Sequence, residues 1–161
     1  MGDASAYSVL LSLAEQRFDP VSEGERRVLC AASTGERVSC GPASTDLNAP
    51  ENDPARAGSW GQDRTIRAAF LQWLCLEPTV REQIHPFGIH VIAARIEGNF
   101  DIAFATIPFP MFFLACWWPG GIVLRNASLP ELGLTKCWIG PLSRLAGEDA
   151  SHFPVIHARG L

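Results

Sequence analysis

The sequence contains almost no lysine. Of its 13 basic residues only Lys136 is a lysine, and the 17 acidic residues give a net charge of −4. Proteins that bind nucleic acid through its phosphates usually carry a clustered basic surface, which this composition does not predict. The arginine bias is typical of a GC-rich, bacterial coding sequence, because arginine codons are GC-rich.

The cysteines lack the spacing of a disulfide framework or a zinc site. Their number is odd and no two of them form a C-x-x-C pair. They are Cys30, Cys40, Cys75, Cys116 and Cys137. The first residues, Met1 to Ser5, show neither a basic region nor an apolar region of the kind found in secretory signals. We therefore predict a reducing, cytoplasmic location.

Motifs for catalysis and cofactor binding are also absent. The sequence has no G-x-G-x-x-G for a dinucleotide and no G-x-S-x-G for a nucleophilic serine. His85 and His90 are close in sequence without a nearby third ligand, so we interpret them as a turn residue and a strand residue. His152 and His157 lie close to the C-terminus. We predict no catalytic, cofactor-binding or metal-binding residues and no enzymatic activity.

One long stretch, residues 102–124, has no charged residue. Its length alone would suit a membrane-spanning helix. However, Pro108, Pro110 and Pro119 would leave backbone groups unpaired in lipid. We therefore do not expect this stretch to span a membrane.

Apolar residues recur every five positions between Ile122 and Ile139. Four triplets have apolar outer members, and the two residues after each triplet form a corner. The triplets are Ile122–Leu124, Ala127–Leu129, Leu132–Leu134 and Cys137–Ile139. Alternation of inward and outward residues, followed by a two-residue bend, predicts a narrow, roughly square β-coil.

The same pattern can be extended backwards through less regular sequence. The preferred triplets are Ala94–Ile96, Phe100–Ile102, Ala105–Ile107, Met111–Phe113 and Cys116–Trp118. A strict count of five from Ile122 also falls on apolar residues. We prefer the first placement because it turns Arg95, Asp101 and Thr106 towards solvent.

These patterns predict an α+β protein in which short N-terminal helices cap a right-handed quadrilateral β-helix of about two coils. Helical periodicity and a capping box predict a helical hairpin over 1–32, and polar composition predicts an irregular connector over 33–62. Capping helices are expected over 63–86 and the β-helix over 87–142. The remaining 143–161 lacks the period and is predicted to be an irregular tail.

Several short motifs resemble those of one bacterial family. They are Trp60-Gly61, Ile66-Arg-Ala-Ala69, Trp73-Leu-Cys75, His85-Pro-Phe-Gly-Ile89, Ala94-Arg-Ile-Glu-Gly98, Phe104-Ala-Thr-Ile-Pro-Phe-Pro110 and Leu129-Pro-Glu-Leu132. From about Ala6 to about Leu142 the chain resembles bacterial pentapeptide-repeat-like proteins with a helical N-terminal segment and a right-handed β-helix. Such proteins continue through more coils, so the resemblance implies a truncated or frame-shifted chain after Leu142.

Three aromatic residues occupy outward positions of the predicted coil: Phe112, Trp117 and Trp138. Trp117 and Trp138 are separated by about one predicted coil, so we expect them to stack on consecutive coils. They either form an exposed interaction patch or are covered by the helix that contains Trp73. Cys116 and Cys137 have the same spacing, and we interpret them as stacked core thiols rather than a redox pair.

The favoured function is a non-catalytic structural or protein-interaction module that binds another protein or a second copy through the open coil end. Two alternatives come from the resemblance. One is a membrane-associated or oxidoreductase-labelled protein, for which no active site is identifiable. The other is a DNA mimic, which is disfavoured because residues 94–141 have no net charge. Their charged residues are Glu97, Asp101, Glu131, Arg95, Arg125 and Lys136.

Overall fold

A computed structural model of the protein describes residues 3–41 and 46–141. The predicted tail, 143–161, and its two histidines, His152 and His157, lie outside the described residues. The helices are α1 (Asp3–Arg17), α2 (Glu23–Thr34), α3 (Ala68–Leu76) and α4 (Pro78–Arg81). Short 3₁₀ segments cover Pro50–Asn52, Pro54–Ser59 and Gln62–Arg64.

Helix α2 has a well-defined cap at each end. At its start, the Ser22 hydroxyl accepts a hydrogen bond from the Glu25 backbone N–H, and the Glu25 carboxylate accepts one from the Ser22 N–H. At its end, Gly35 adopts a left-handed conformation with φ of 75°. A Cβ at Gly35 would also lie 2.3 Å from Nδ1 of His85, so this position needs glycine for two reasons.

The strands form three parallel sheets among the described residues. They are β1 (Arg37–Ser39), β2 (Thr65–Arg67), β3 (Ile89–Ile92), β4 (Arg95–Glu97), β5 (Phe100–Asp101), β6 (Met111–Leu114), β7 (Trp117–Trp118), β8 (Ile122–Val123), β9 (Leu132–Thr135) and β10 (Trp138–Ile139). The first sheet has the order β1-β3-β6-β9, the second β2-β4-β7-β10, and the third consists of β5 and β8.

Strands from β3 onward pair with one another at a nearly constant interval along the sequence. In the first sheet Ile89 pairs with Met111, and Met111 pairs with Leu132. In the second sheet Arg95 pairs with Trp117, and Trp117 pairs with Trp138. The pairing therefore places apolar residues beside one another in the later strands of both sheets.

The predicted fold class is wrong. In place of a right-handed quadrilateral β-helix of about two coils capped by helices, the protein has a mixed α/β fold with parallel sheets of four, four and two strands. Strands β1 and β2 come from regions predicted to be a connector and capping helices, and they form one edge of each four-stranded sheet. The triplet Ala127–Leu129 contributes only an isolated bridge, between Thr106 and Ser128.

The chain bends between the first and second sheets at residues with positive φ. Ala93, Ala115 and Lys136 have φ of 57°, 52° and 52°, and each lies between a strand of the first sheet and a strand of the second. Non-glycine residues rarely adopt this conformation, so each corner carries a small backbone cost. The parallel pairing on both sides holds these corners in place.

Helices and sheets share one hydrophobic core. Its largest fully buried side chains include Leu10 of α1, Leu29 of α2, Phe70 of α3, Phe113 of β6 and Trp118 of β7. Alternation along the later strands explains this burial, because Met111 and Phe113 point inward.

A buried ion pair joins α2 to β2. The Glu25 side chain is completely buried, and its Oε2 lies 2.6 Å from Nη2 of Arg67. Its Oε1 accepts hydrogen bonds from the Arg67 backbone N–H and from Nε, at 3.0 and 2.7 Å. Burial alone would raise the pKa of Glu25, but the hydrogen bonds from Arg67 and Ser22 outweigh it and hold the pKa below its usual value.

We predict that Glu25→Gln lowers the free energy of unfolding at pH 7 by about 2 to 3 kcal/mol, because charged hydrogen bonds are lost at a buried position. Since the pKa of Glu25 is lowered by folding, its contribution is present above the unfolded-state pKa and is lost as the pH falls through the folded-state pKa. Urea unfolding at pH 7 and in the acid range measures this.

The matched control is Glu23→Gln. Glu23 also pairs with an arginine, Arg27, but its side chain is 57% exposed. The expected change is about 0.5 kcal/mol or less. Equal losses in the two variants would contradict the role given to the buried pair.

Candidate interaction surface

The structure brings two of the three predicted aromatic residues together. Trp117 of β7 and Trp138 of β10 are direct partners in the second sheet. Phe112 lies in β6 of the first sheet, so it does not share a sheet with them. All three side chains are half-buried.

Trp117 is partly covered, but by a different segment from the one expected. It packs against a small cluster that contains Ala57, Trp60 and Ile92, and its indole N–H donates to the Gly140 carbonyl at 2.7 Å. The helix α3 residue Trp73 instead contacts Phe18 and Phe70, with ring centroids 5.5 and 5.6 Å away. The 3₁₀ segment Pro54–Ser59 therefore supplies the cover, through Ala57.

Phe112 is held by its neighbours in the first sheet. Its ring lies 4.7 Å from the ring of His90, centroid to centroid. On its other side is Gly133, where an added Cβ would be only 2.6 Å from Cδ1 of Phe112. The absence of a side chain at Gly133 thus gives the phenyl ring its space.

The strongest candidate surface is the free edge of the last strands, which we call the terminal surface (β9 and β10). Within residues 3–41 and 46–141, no strand pairs with the outer side of either strand. The Glu131 and Thr135 carbonyls accept hydrogen bonds from the first residue of β6 and from the residue after its end, and the Trp138 N–H donates to the residue before β7. Peptide groups alternate in direction along a strand, so those of Leu132, Leu134 and Ile139 point to the open edge.

The side chains on the terminal surface are apolar and incompletely buried. Leu132, Leu134 and Ile139 pack against the core but remain half-exposed. The equivalent residues one strand earlier, Met111 and Phe113, have no exposed surface. The five-residue pattern assigns Leu132, Leu134 and Ile139 to the core. The pattern does not reveal that β9 and β10 have no further described strand beside them to complete the burial of these residues.

Opposite charges lie at the two ends of β9. Glu131 precedes the strand and Lys136 follows it, and both are exposed. The Lys136 ammonium donates to the Asn48 side chain, which keeps the cation beside this edge. A strand running antiparallel to β9, with the same charges, would place each charge near its opposite.

A polar cavity of about 370 Å³ lies beside the 3₁₀ segments, and sequence patterns do not reveal it. Its wall includes the buried Arg64, whose guanidinium lies 3.7 Å from the ring centroid of Trp60. Arg64 donates to the carbonyls of Glu51 and Ala93 and to the Asn52 side chain. These hydrogen bonds hold the Arg64 side chain in place, and we interpret it as a structural residue that supports the 3₁₀ segment Pro50–Asn52.

The two described histidines bond to nearby backbone. His90 Nε2 lies 2.7 Å from the Phe87 carbonyl, and His85 Nδ1 accepts from the Phe87 N–H at 3.1 Å. In the part of the chain that the structure describes, no group of three or more His, Cys, Asp or Glu residues could hold a metal ion.

The uncharged stretch 102–124 contains β6, β7 and β8 rather than a helix. None of the helices in the described ranges is long and apolar enough to cross a membrane.

We predict that Trp117→Ser destabilises the fold more than Trp138→Ser does. Trp117 loses packing against Ala57 and Trp60 together with its bond to Gly140, whereas the Trp138 indole loses a long 3.4 Å bond to the Pro141 carbonyl. A loss of about 3 kcal/mol is expected for Trp117 and about 1 kcal/mol for Trp138. Thermal unfolding of both variants measures the difference, and the reverse order would refute this assignment.

Comparison with known proteins gives no match to a family model, to a curated protein or to a solved structure. The resemblance to pentapeptide-repeat-like proteins therefore stays a prediction from the motifs.

Proposed function

We propose that this protein is a non-catalytic protein-interaction module that binds its partner through the terminal surface. The observation that carries the proposal is the combination of outward-facing peptide groups on β9 and β10 with half-exposed apolar side chains beside them. An exposed sheet edge is a template for strand addition, in which main-chain hydrogen bonds provide affinity.

A second copy of the chain is the partner that the charges favour. Two β9 strands related by a two-fold axis run antiparallel, so Glu131 of each copy approaches Lys136 of the other. The half-exposed side chains of Leu132 and Leu134 then lose water on both copies. Because the two-fold arrangement uses the same surface on both copies, the resulting assembly is a dimer that leaves no surface open for a third copy.

The DNA-mimic alternative is less well supported, since such a protein needs a continuous acidic surface. Residues 94–141 have equal numbers of acidic and basic residues, and Glu97 forms a 2.9 Å ion pair with Arg95. The sequence has no dinucleotide-binding motif that would favour an oxidoreductase enzyme.

We also propose a cytoplasmic location. All five cysteines are unpaired, although Cys116 and Cys137 directly precede two paired strands of the second sheet. A reducing compartment keeps such thiols from forming disulfides.

We predict that Leu134→Lys abolishes self-association. It places a charge on the apolar side of the edge strand, where two copies of the cation would face one another. Sedimentation velocity over a range of protein concentrations is the measurement, with the unsubstituted chain forming a dimer as concentration rises.

Thr135→Lys is the matched control, with the same added charge at the next position. The Thr135 side chain is exposed and its carbonyl accepts a hydrogen bond from the Ala115 N–H, so this variant should still associate. A chain that stays monomeric at high concentration, or a Leu134→Lys variant that associates normally, would contradict self-association through the terminal surface.

A further inference from the structure

Cys116 and Cys137 occupy equivalent positions, directly before the paired strands β7 and β10. Trp117 pairs with Trp138, and the Trp138 N–H donates to the Cys116 carbonyl at 2.9 Å, so the two cysteines that precede these tryptophans are neighbours. Paired strands lie about 4.8 Å apart. This separation falls within the range of about 4.4 to 6.8 Å between Cα atoms that a disulfide requires.

The two thiols differ in their access to solvent. Cys116 has no exposed surface, whereas Cys137 is half-buried. The Cys116 thiol lies 3.4 Å from the Leu114 carbonyl, and the Cys137 thiol lies 3.2 Å from the Phe113 carbonyl. Solvent can therefore reach Cys137, whereas Cys116 has no surface that solvent can contact.

A buried hydrogen-bond donor lies beside Cys137. Trp118 is 1% exposed, and its indole N–H has no hydrogen-bond partner among the described residues. The neighbouring Cys116 thiol, and to a smaller extent the Trp118 indole, outweigh the effect of burial and hold the pKa of Cys137 below its usual value. Burial raises the pKa of Cys116.

Cys40 and Cys75 are buried thiols with which Cys137 can be compared. Burial raises the pKa of Cys40 to about 11 and that of Cys75 to about 12. The Cys75 sulfur lies 3.5 Å from that of Met111 inside the core. Cys137 differs from both in exposure and in the donors around its sulfur.

We propose that Cys137 is a thiol-modification site that reacts with a hydroperoxide, and that Cys116 then forms a disulfide with it. The Cys137 thiolate attacks the terminal peroxide oxygen, the O–O bond breaks, and Cys137 becomes a sulfenic acid while the leaving oxygen takes a proton to give water or an alcohol. The Cys116 sulfur attacks the sulfenic sulfur, its proton goes to the departing hydroxide, and a second molecule leaves as water. The two thiols supply the two electrons that reduce the peroxide.

The resulting disulfide would join β10 covalently to β7, its neighbour in the second sheet. This chemistry is separate from association through the terminal surface, so it is tested at concentrations where the chain is monomeric.

The test is mass spectrometry of the full chain after brief treatment with hydrogen peroxide and alkylation of the remaining thiols. We expect loss of two hydrogen atoms and a peptide linked between Cys116 and Cys137, with Cys40 and Cys75 still reduced. In Cys116→Ala the sulfenic acid persists and is trapped at Cys137 by dimedone. Oxidation confined to Cys30, which is exposed on α2, would overturn the proposal. So would oxidation of Cys137 without a link to Cys116.

A second variant tests whether Trp118 raises the reactivity of the Cys137 thiol or whether Cys137 reacts only because it is exposed. Trp118→Phe removes the N–H while keeping an aromatic ring, and it should slow the alkylation of Cys137 at neutral pH by roughly threefold or more. Cys30 in the same sample is the internal reference, and circular dichroism checks that the variant is folded. An unchanged ratio of the two alkylation rates in a folded variant would show that Trp118 does not act on Cys137.

Discussion

The parallel pairing of strands at a nearly constant interval along the sequence is the constraint on which the rest of the structure depends. It sets the register of the first and second sheets, and through that register it stacks Trp138 on Trp117 and brings Cys137 beside Cys116. It also satisfies the backbone of strands whose inward side chains are buried, where unpaired peptide groups would be costly. The positive-φ corners at Ala93, Ala115 and Lys136 are tolerated because pairing on either side fixes them.

The same constraint explains why the open sheet edge and the half-buried Cys137 both occur at the last strands, β9 and β10. In a parallel sheet, each strand is paired and covered by the next one along the chain. Among the described residues no further strand pairs with β9 and β10, so their outward peptide groups and apolar side chains are not fully covered. Cys137 directly precedes β10 and shares that partial exposure. A partner bound along the terminal surface would bury this region, and a disulfide to Cys116 would stiffen it.

Local signals in the sequence describe local structure well. The capping box of Ser22 and Glu25 and the alternation through Met111 and Phe113 are both visible in the sequence and present in the structure. The grouping of strands into three sheets could not be read in this way, because β1 is short and polar and finds its place only by pairing with β3. Likewise, the cover over Trp117 comes from Ala57 and Trp60, far earlier in the sequence, a long-range contact that no periodicity encodes.

Amide hydrogen exchange of the monomeric chain, followed residue by residue by NMR, tests the register most directly. Slow exchange is expected at Trp138 and Gly140, whose N–H groups donate to Cys116 and Trp118, and fast exchange at Ile139 between them. Uniform exchange across these three residues, or protection of Ile139 alone, would contradict the parallel pairing of β10 with β7.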